Sequence, residues 1–159
     1  GEHYLINSAK LGAIRMSQRF FTTEKTTLEQ VNECREFIRG ELSPTFQQIL
    51  QSGFEIAVAT SGTAHTLAGM VLAAAGKRIP DVINGIHITR DELLAVIDSL
   101  IQAGTSAARA QIPGMEPNRA DIILGATFYE LLWFHRAFLP VHEVNLSKKH
   151  IKRNLEQEF

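Results

Sequence analysis

With 159 residues, 45% of them hydrophobic and 21% charged, the chain has the size and apolar content of one ordinary domain with a sizeable core. A formal net charge of -1 excludes a global electrostatic pull toward DNA or a membrane surface, and no apolar run approaches the roughly 20 residues a spanning helix needs. The single cysteine, Cys34, excludes an internal disulfide, offers no zinc-ligand spacing, and fits a reducing compartment such as the cytoplasm.

In chain order, residues 4–8 read as a short apolar strand, and residues 11–21 as a helix with Leu11, Ile14, Phe20 and Phe21 apolar. Thr26, Thr27, Leu28 and Glu29 have the pattern of a capping box, in which a Thr hydroxyl takes an orphan amide and Glu29 reaches back. Leu28, Val31, Cys34, Ile38, Leu42, Phe46 and Ile49 then recur at the spacing of an amphipathic helix, with Cys34 a packed, inert thiol within the stripe. Pro44 predicts a kink or a restart capped by Ser43, and Gly53 predicts the end. Residues 54–60 form the clearest strand. A Ser61-Gly62-Thr63 turn leads into a small-residue helix over 64–75, and residues 76–85 read as a loop. A second capping box, Thr89 to Glu92, opens a helix that buries Leu93, Ile97, Leu100 and Ile101 and closes at Gly104. Short helix is expected over 106–111, a long helix apolar nearly all round from about 117 or 118 to 137, a weak strand over 141–146, and a basic terminal helix capped by Ser147. Helices between strands favour a parallel or mixed sheet with covered faces, and three strands are few for so many helices, so the sheet reads as incomplete. The leading Gly1, with no Met, reads as the start of an excised piece.

Two places could carry chemistry. The Ser61, Gly62 and Thr63 turn between strand and helix presents backbone N–H groups and hydroxyls at a helix N-terminus, which attracts phosphate; the same residues would also serve as a plain cap and turn. His65 lies one turn in, where it could touch a phosphate or simply be solvated or packed. Arg119 is a planar, bidentate phosphate binder by type, or else the ion-pair partner of Asp121 or Glu116. The cluster Lys148, Lys149, Lys152 and Arg153 reads as a solvated helix face. The remaining histidines, His87, His135, His142 and His150 among them, have no metal-ligand spacing. Ser61 has no local His–acid relay, and no catalytic carboxylate pair stands out.

Three stretches in order resemble the exopolyphosphatase/guanosine-pentaphosphatase (Ppx/GppA) family. They are Leu11-Gly12-Ala13-Ile14-Arg15-Met16, then Ala59-Thr60-Ser61-Gly62-Thr63-Ala64, then Gly114-Met115 followed by Arg119-Ala120-Asp121-Ile122-Ile123. The resemblance covers almost the whole chain. It implies an α/β, actin-like fold (ribonuclease H-like, the ASKHA superfamily), with residues 1–159 as most of the second, C-terminal lobe of a two-lobe phosphatase. It further implies part of a Mg²⁺-dependent hydrolase acting on acid anhydrides, which releases terminal phosphate from polyphosphate or guanosine pentaphosphate. The catalytic carboxylate and the Gly-rich phosphate loop would precede Gly1, so no catalytic or metal residue is expected here, no Mg²⁺ bound to this piece, and no activity from it alone. By the same resemblance Ser61, Gly62 and Thr63 line the cleft, with Arg119 on phosphate or nucleotide and His65 nearby. The implied partners are the missing N-terminal lobe and polyphosphate or guanosine penta- or tetraphosphate, with neither DNA nor membrane. An exposed sheet edge at Tyr4, Leu5 and Ile6 would favour a homodimer. The alternatives are a non-catalytic domain that binds polyphosphate or the guanosine phosphates, and an assembly domain in which the turn is only a cap.

Overall fold

A computed structural model describes residues 7–53, 57–128 and 143–146. Helix α1 (Ala13–Phe20) turns Met16 and Ser17 inward, while Ile14 stays exposed. Helix α2 (Leu28–Ser52) lays Val31, Cys34, Ile38, Leu42 and Phe46 along the core. Burial pushes the Cys34 thiol up to about 12, so the inert packed thiol expected from the stripe is what is found.

Three expectations for α2 need correction. The capping box is one residue later than read: Thr27 accepts from the Gln30 N–H at 3.2 Å, and the Gln30 side chain takes the Thr27 N–H at 3.1 Å. The reason is tertiary. Thr26 is already engaged, its N–H donating to Gly104 O at 2.7 Å and its hydroxyl accepting from Arg109 at 3.1 Å. Leu28, counted into the apolar stripe, is 70% exposed because it is the first helical residue, outside the packed face. Of the kink or restart expected at Pro44, the restart at Ser43 does not occur: the helix runs through Pro44. The carbonyl that loses its donor belongs to Gly40, an exposed glycine with open space around its Cα, so water can serve it. Gly53 ends the helix at φ 75°, as expected.

Strand β1 (Ala57–Ala59) leads through Thr60 and Ser61 into α3 (Gly62–Ala74), whose residues from Thr63 to Leu72 are buried except His65. Strand β2 (Ile86–Thr89) was not anticipated. It sits between a loop and a capping box, and what defines it is pairing with a strand more than fifty residues later in sequence. That strand, β3 (Glu143–Leu146), is central in the order β1-β3-β2, parallel to β1 and antiparallel to β2. The sheet is therefore mixed, as the alternation of elements implied. Helix α4 (Arg90–Ala103) buries Leu93, Val96, Ile97 and Leu100 and ends at Gly104, and α5 (Ser106–Arg109) follows.

The long helix expected from 117 or 118 starts later. Pro117–Arg119 is a 3-10 turn, and α-helix is present over 123–128. The carbonyls around the break are held from outside the helix: Ala120 O accepts from Arg109 Nε at 3.0 Å, and Ile122 O from Ser17 Oγ at 3.2 Å. The expected strand at 4–8 lies outside the described residues for 4–6, and Asn7 and Ser8 are irregular. The end of the long helix and the basic terminal helix also lie outside the described residues. Among the described residues no helix is long and apolar enough to cross a membrane.

Candidate functional site

The N-terminus of α3 opens at the carboxyl end of β1, where ligands collect in open α/β sheets. Ser61 is the N-cap: its Oγ accepts the Ala64 N–H at 3.0 Å and its carbonyl accepts the His65 N–H at 3.0 Å. The N–H groups of Gly62 and Thr63 find no acceptor among the described residues. They are two of the orphan donors that every α-helix presents at its start. No acidic side chain of the helix itself occupies its first turn. Thr63 is buried, and His65 is half-buried with no bonded partner for its imidazole among the described residues.

Arg119 arrives from the 3-10 turn and lays its guanidinium directly on Gly62. A Cβ added at Gly62 would lie 2.0 Å from Nη2, 2.4 Å from Cζ and 2.7 Å from Nη1. Only the absence of a side chain admits this approach. Arg119 Nε donates to Glu116 Oε2 at 3.1 Å, with the two side chains 29% and 46% exposed. Its Nη1 and Nη2 donors have no acceptor among the described residues. Of the two acids read as possible partners, Glu116 is the one engaged, and Asp121 instead lies within electrostatic reach of Arg109.

The segment carrying Arg119 is anchored at several points. Gly114, at φ 84°, packs backbone to backbone on α3, where a Cβ would meet Gly69 O at 2.5 Å. Gly125 packs on α1 with a Cβ position 2.8 Å from Met16 Cβ. Arg109 is 4% exposed and bridges Ala120 O to Thr26 Oγ1 at 3.0 and 3.1 Å. Burial lowers its pKa and the charge of Asp121 partly restores it; a guanidinium stays protonated regardless. Thr66, 1% exposed, donates its hydroxyl to Glu116 Oε1 at 3.0 Å.

The structure thus brings Ser61, Gly62, Thr63 and Arg119 together, with His65 on the same turn of helix. Reading the residues alone missed Thr66 as a member of the cluster and saw Glu116 only as a counter-ion. Thr66 lies one turn after Gly62, a spacing that puts it on the same helix face, but nothing in the sequence joins it to Glu116, fifty residues later.

Chemically, the arrangement is two free amide donors, the free Nη1 and Nη2 groups of Arg119 and a helix dipole, with the Glu116 carboxylate paired to Nε. It suits a phosphate-like anion. It contains no nucleophile–base pair. Among the described residues no group of three or more His, Cys, Asp or Glu could hold a metal ion.

Residues 2–132 match the model of the Ppx/GppA phosphatase family. A curated relative, Exopolyphosphatase 2 of Mycobacterium tuberculosis, is 31% identical over 130 residues, which cover 79% of this chain and 39% of that protein. The chain therefore spans about two fifths of the curated relatives it matches. Among solved structures, the type II variant of the Aquifex aeolicus Ppx/GppA phosphatase superposes with a TM-score of 0.76 at 21% identity, over 91% of this chain and 45% of that one. An exopolyphosphatase from Cytophaga hutchinsonii gives 0.72 at 19% identity, over 89% and 45%. The fold is accordingly the α/β, actin-like fold of these proteins, helix-rich with few strands. By the family match over most of its length, the chain belongs to the Ppx/GppA phosphatase family.

Proposed function

We propose that residues 1–159 are most of the C-terminal lobe of a two-lobe phosphoanhydride hydrolase, and that this lobe supplies one wall of a cleft gripping the phosphate chain of polyphosphate or guanosine pentaphosphate. The observation that carries the reading is the seat of Arg119 on Gly62 beside the free N–H groups of Gly62 and Thr63. Hydrolysis of such a chain depends on positioning and on neutralising charge that spreads over the phosphoryl oxygens. Arg119, Gly62 and Thr63 are the positioning donors, Ser61 holds the turn, and His65 borders it. The magnesium such hydrolysis uses would polarise the phosphoryl oxygens, and its ligands and the catalytic carboxylate belong on this reading to the other lobe. The buried free thiol of Cys34 suits a reducing compartment such as the cytoplasm.

Titration calorimetry of the protein with inorganic tripolyphosphate tests the reading. Saturable binding is expected, weakened about 10-fold or more by Arg119→Ala, the scale of one lost charge-assisted hydrogen-bond donor set. With Mg²⁺ and polyphosphate, the chain alone is expected to release no phosphate. Absence of binding at millimolar ligand, or binding indifferent to Arg119, would overturn the site. Turnover by the chain alone would overturn the division of labour between lobes.

A further inference from the structure

Thr66 Oγ1 carries one proton but lies 3.0 Å from two acceptors, Gly62 O and Glu116 Oε1. Inside an α-helix the carbonyl of Gly62 already receives the N–H of Thr66. A carboxylate is also the stronger acceptor. The hydroxyl proton therefore goes to Glu116, and the contact with Gly62 O is left as packing. The other oxygen of the same carboxylate receives Arg119 Nε at 3.1 Å. A path thus runs from the buried face of α3, through Thr66 and Glu116, to the guanidinium that rests on the first residue of that same helix.

We propose that Thr66 and Glu116 are positioning residues that orient Arg119 from inside α3, so that the affinity of the site for a polyphosphate-type anion is set by a hydroxyl that never meets the anion. The proposal rests on the reading of Arg119 as a phosphate ligand. With Nε tied to Glu116, rotation of the guanidinium is blocked and the Nη1 and Nη2 edge is the one left to face a ligand. Gly62 limits the guanidinium from below, and the carboxylate limits it from the side. Thr66 is 1% exposed and its rotamer is confined by the core, which makes it a firmer anchor than Glu116, whose side chain is 46% exposed.

The charge of Glu116 acts the other way. A carboxylate beside Arg119 repels an incoming anion, so its removal on electrostatic grounds alone should tighten binding. Orientation predicts the opposite sign, and that opposition makes the proposal decidable.

Calorimetry with inorganic tripolyphosphate on the 159-residue chain is the test. Thr66→Val, which changes no charge, is expected to weaken binding about 3- to 10-fold, the scale of one hydrogen bond to a charged group. Thr66→Ser is expected to restore it to within about twofold, and Thr66→Val is expected to have no further effect in an Arg119→Ala background. Glu116→Ala, at a half-exposed position that does not threaten the core, is expected to weaken binding although a negative charge is lost. If Arg119→Ala weakens binding while Thr66→Val and Glu116→Ala leave it unchanged or tighten it, the relay is wrong and the phosphate site stands. If Thr66→Val weakens binding equally with and without Arg119, Thr66 acts on the helix alone and the relay is also wrong. If Arg119→Ala itself has no effect, the site reading fails first.

Discussion

Helices α3 and α4 start in nearly the same way and end up with different electrostatics. Each follows a short strand, and each has a hydroxyl cap that accepts the third amide of the helix, Ser61 from Ala64 at 3.0 Å and Thr89 from Glu92 at 3.2 Å. At α4 the circuit closes. Glu92 takes the Thr89 N–H at 2.8 Å, and Asp91 and Glu92 put negative charge on the positive end of the dipole. At α3 the equivalent third position is Ala64, 1% exposed and part of the core, where a glutamate cannot be placed. Its first turn holds no acid of its own, and the charges brought to it are Arg119 and the Glu116 carboxylate paired with Arg119 Nε. A cap recognised in a sequence therefore says that a helix begins; whether its terminus is spent or available depends on what the third residue must do for the core.

The largest effect expected from breaking this comparison is at Gly114. Ala there meets both the positive φ and the backbone of Gly69, and Gly114→Ala is expected to cost about 3 kcal/mol or more in thermal unfolding. Because this turn seats Glu116 and Arg119 on α3, hydrogen exchange should accelerate more at the Ala64 amide than at Glu92. Equal acceleration at both would mean that the segment does not brace α3 in particular. Next in size is Gly62→Ala. Its φ is not in the left-handed region, so stability should change by less than about 1 kcal/mol, since alanine suits a helix better than glycine. The new Cβ must nevertheless evict the Arg119 guanidinium, and tripolyphosphate affinity should fall about 10-fold or more in calorimetry. Retained affinity would show that the close approach is incidental to binding.

What could be read ahead of the structure follows a physical divide. The helices carried by caps and apolar spacing were legible: Thr89 and Glu92, Gly53 and Gly104, and the stripe from Val31 to Phe46 all do locally what their residue types favour. So was the turn from Ser61 to Thr63, because a strand, a small turn and a helix are neighbours in sequence. Three of the failures involve a partner remote in the chain. Thr26 and Thr27 are equivalent as caps until Arg109 and Gly104 claim Thr26. Strand β2 exists because β3 pairs with it, and the expected helix at 118 gives way to a 3-10 turn where Arg109 and Ser17 hold the carbonyls of Ala120 and Ile122. Within the site, residue types pointed to Arg119 and to the turn separately. Their meeting at Gly62, and the Thr66–Glu116 bond beneath, are products of folding between segments about fifty residues apart.

The smallest effects are expected at the two caps, and they discriminate by their response to ligand. Ser61→Ala and Thr89→Ala should each cost about 1 kcal/mol in the absence of anions, since each strands one amide donor. At α4 the stranded amide of Glu92 sits among Asp91 and Glu92, which repel an anion, so added tripolyphosphate cannot take the place of the lost hydroxyl. At α3 the stranded amide of Ala64 joins the free amides of Gly62 and Thr63 under Arg119, and a bound phosphate oxygen can accept from it. Ligand that binds the folded state adds stability in proportion to its affinity there. The stability gap between wild type and Ser61→Ala should therefore narrow as tripolyphosphate is raised, while the gap at Thr89→Ala stays constant, with both followed by urea unfolding at fixed ionic strength. Two gaps that stay constant together would mean that the anion does not sit on the end of α3, whatever else it touches.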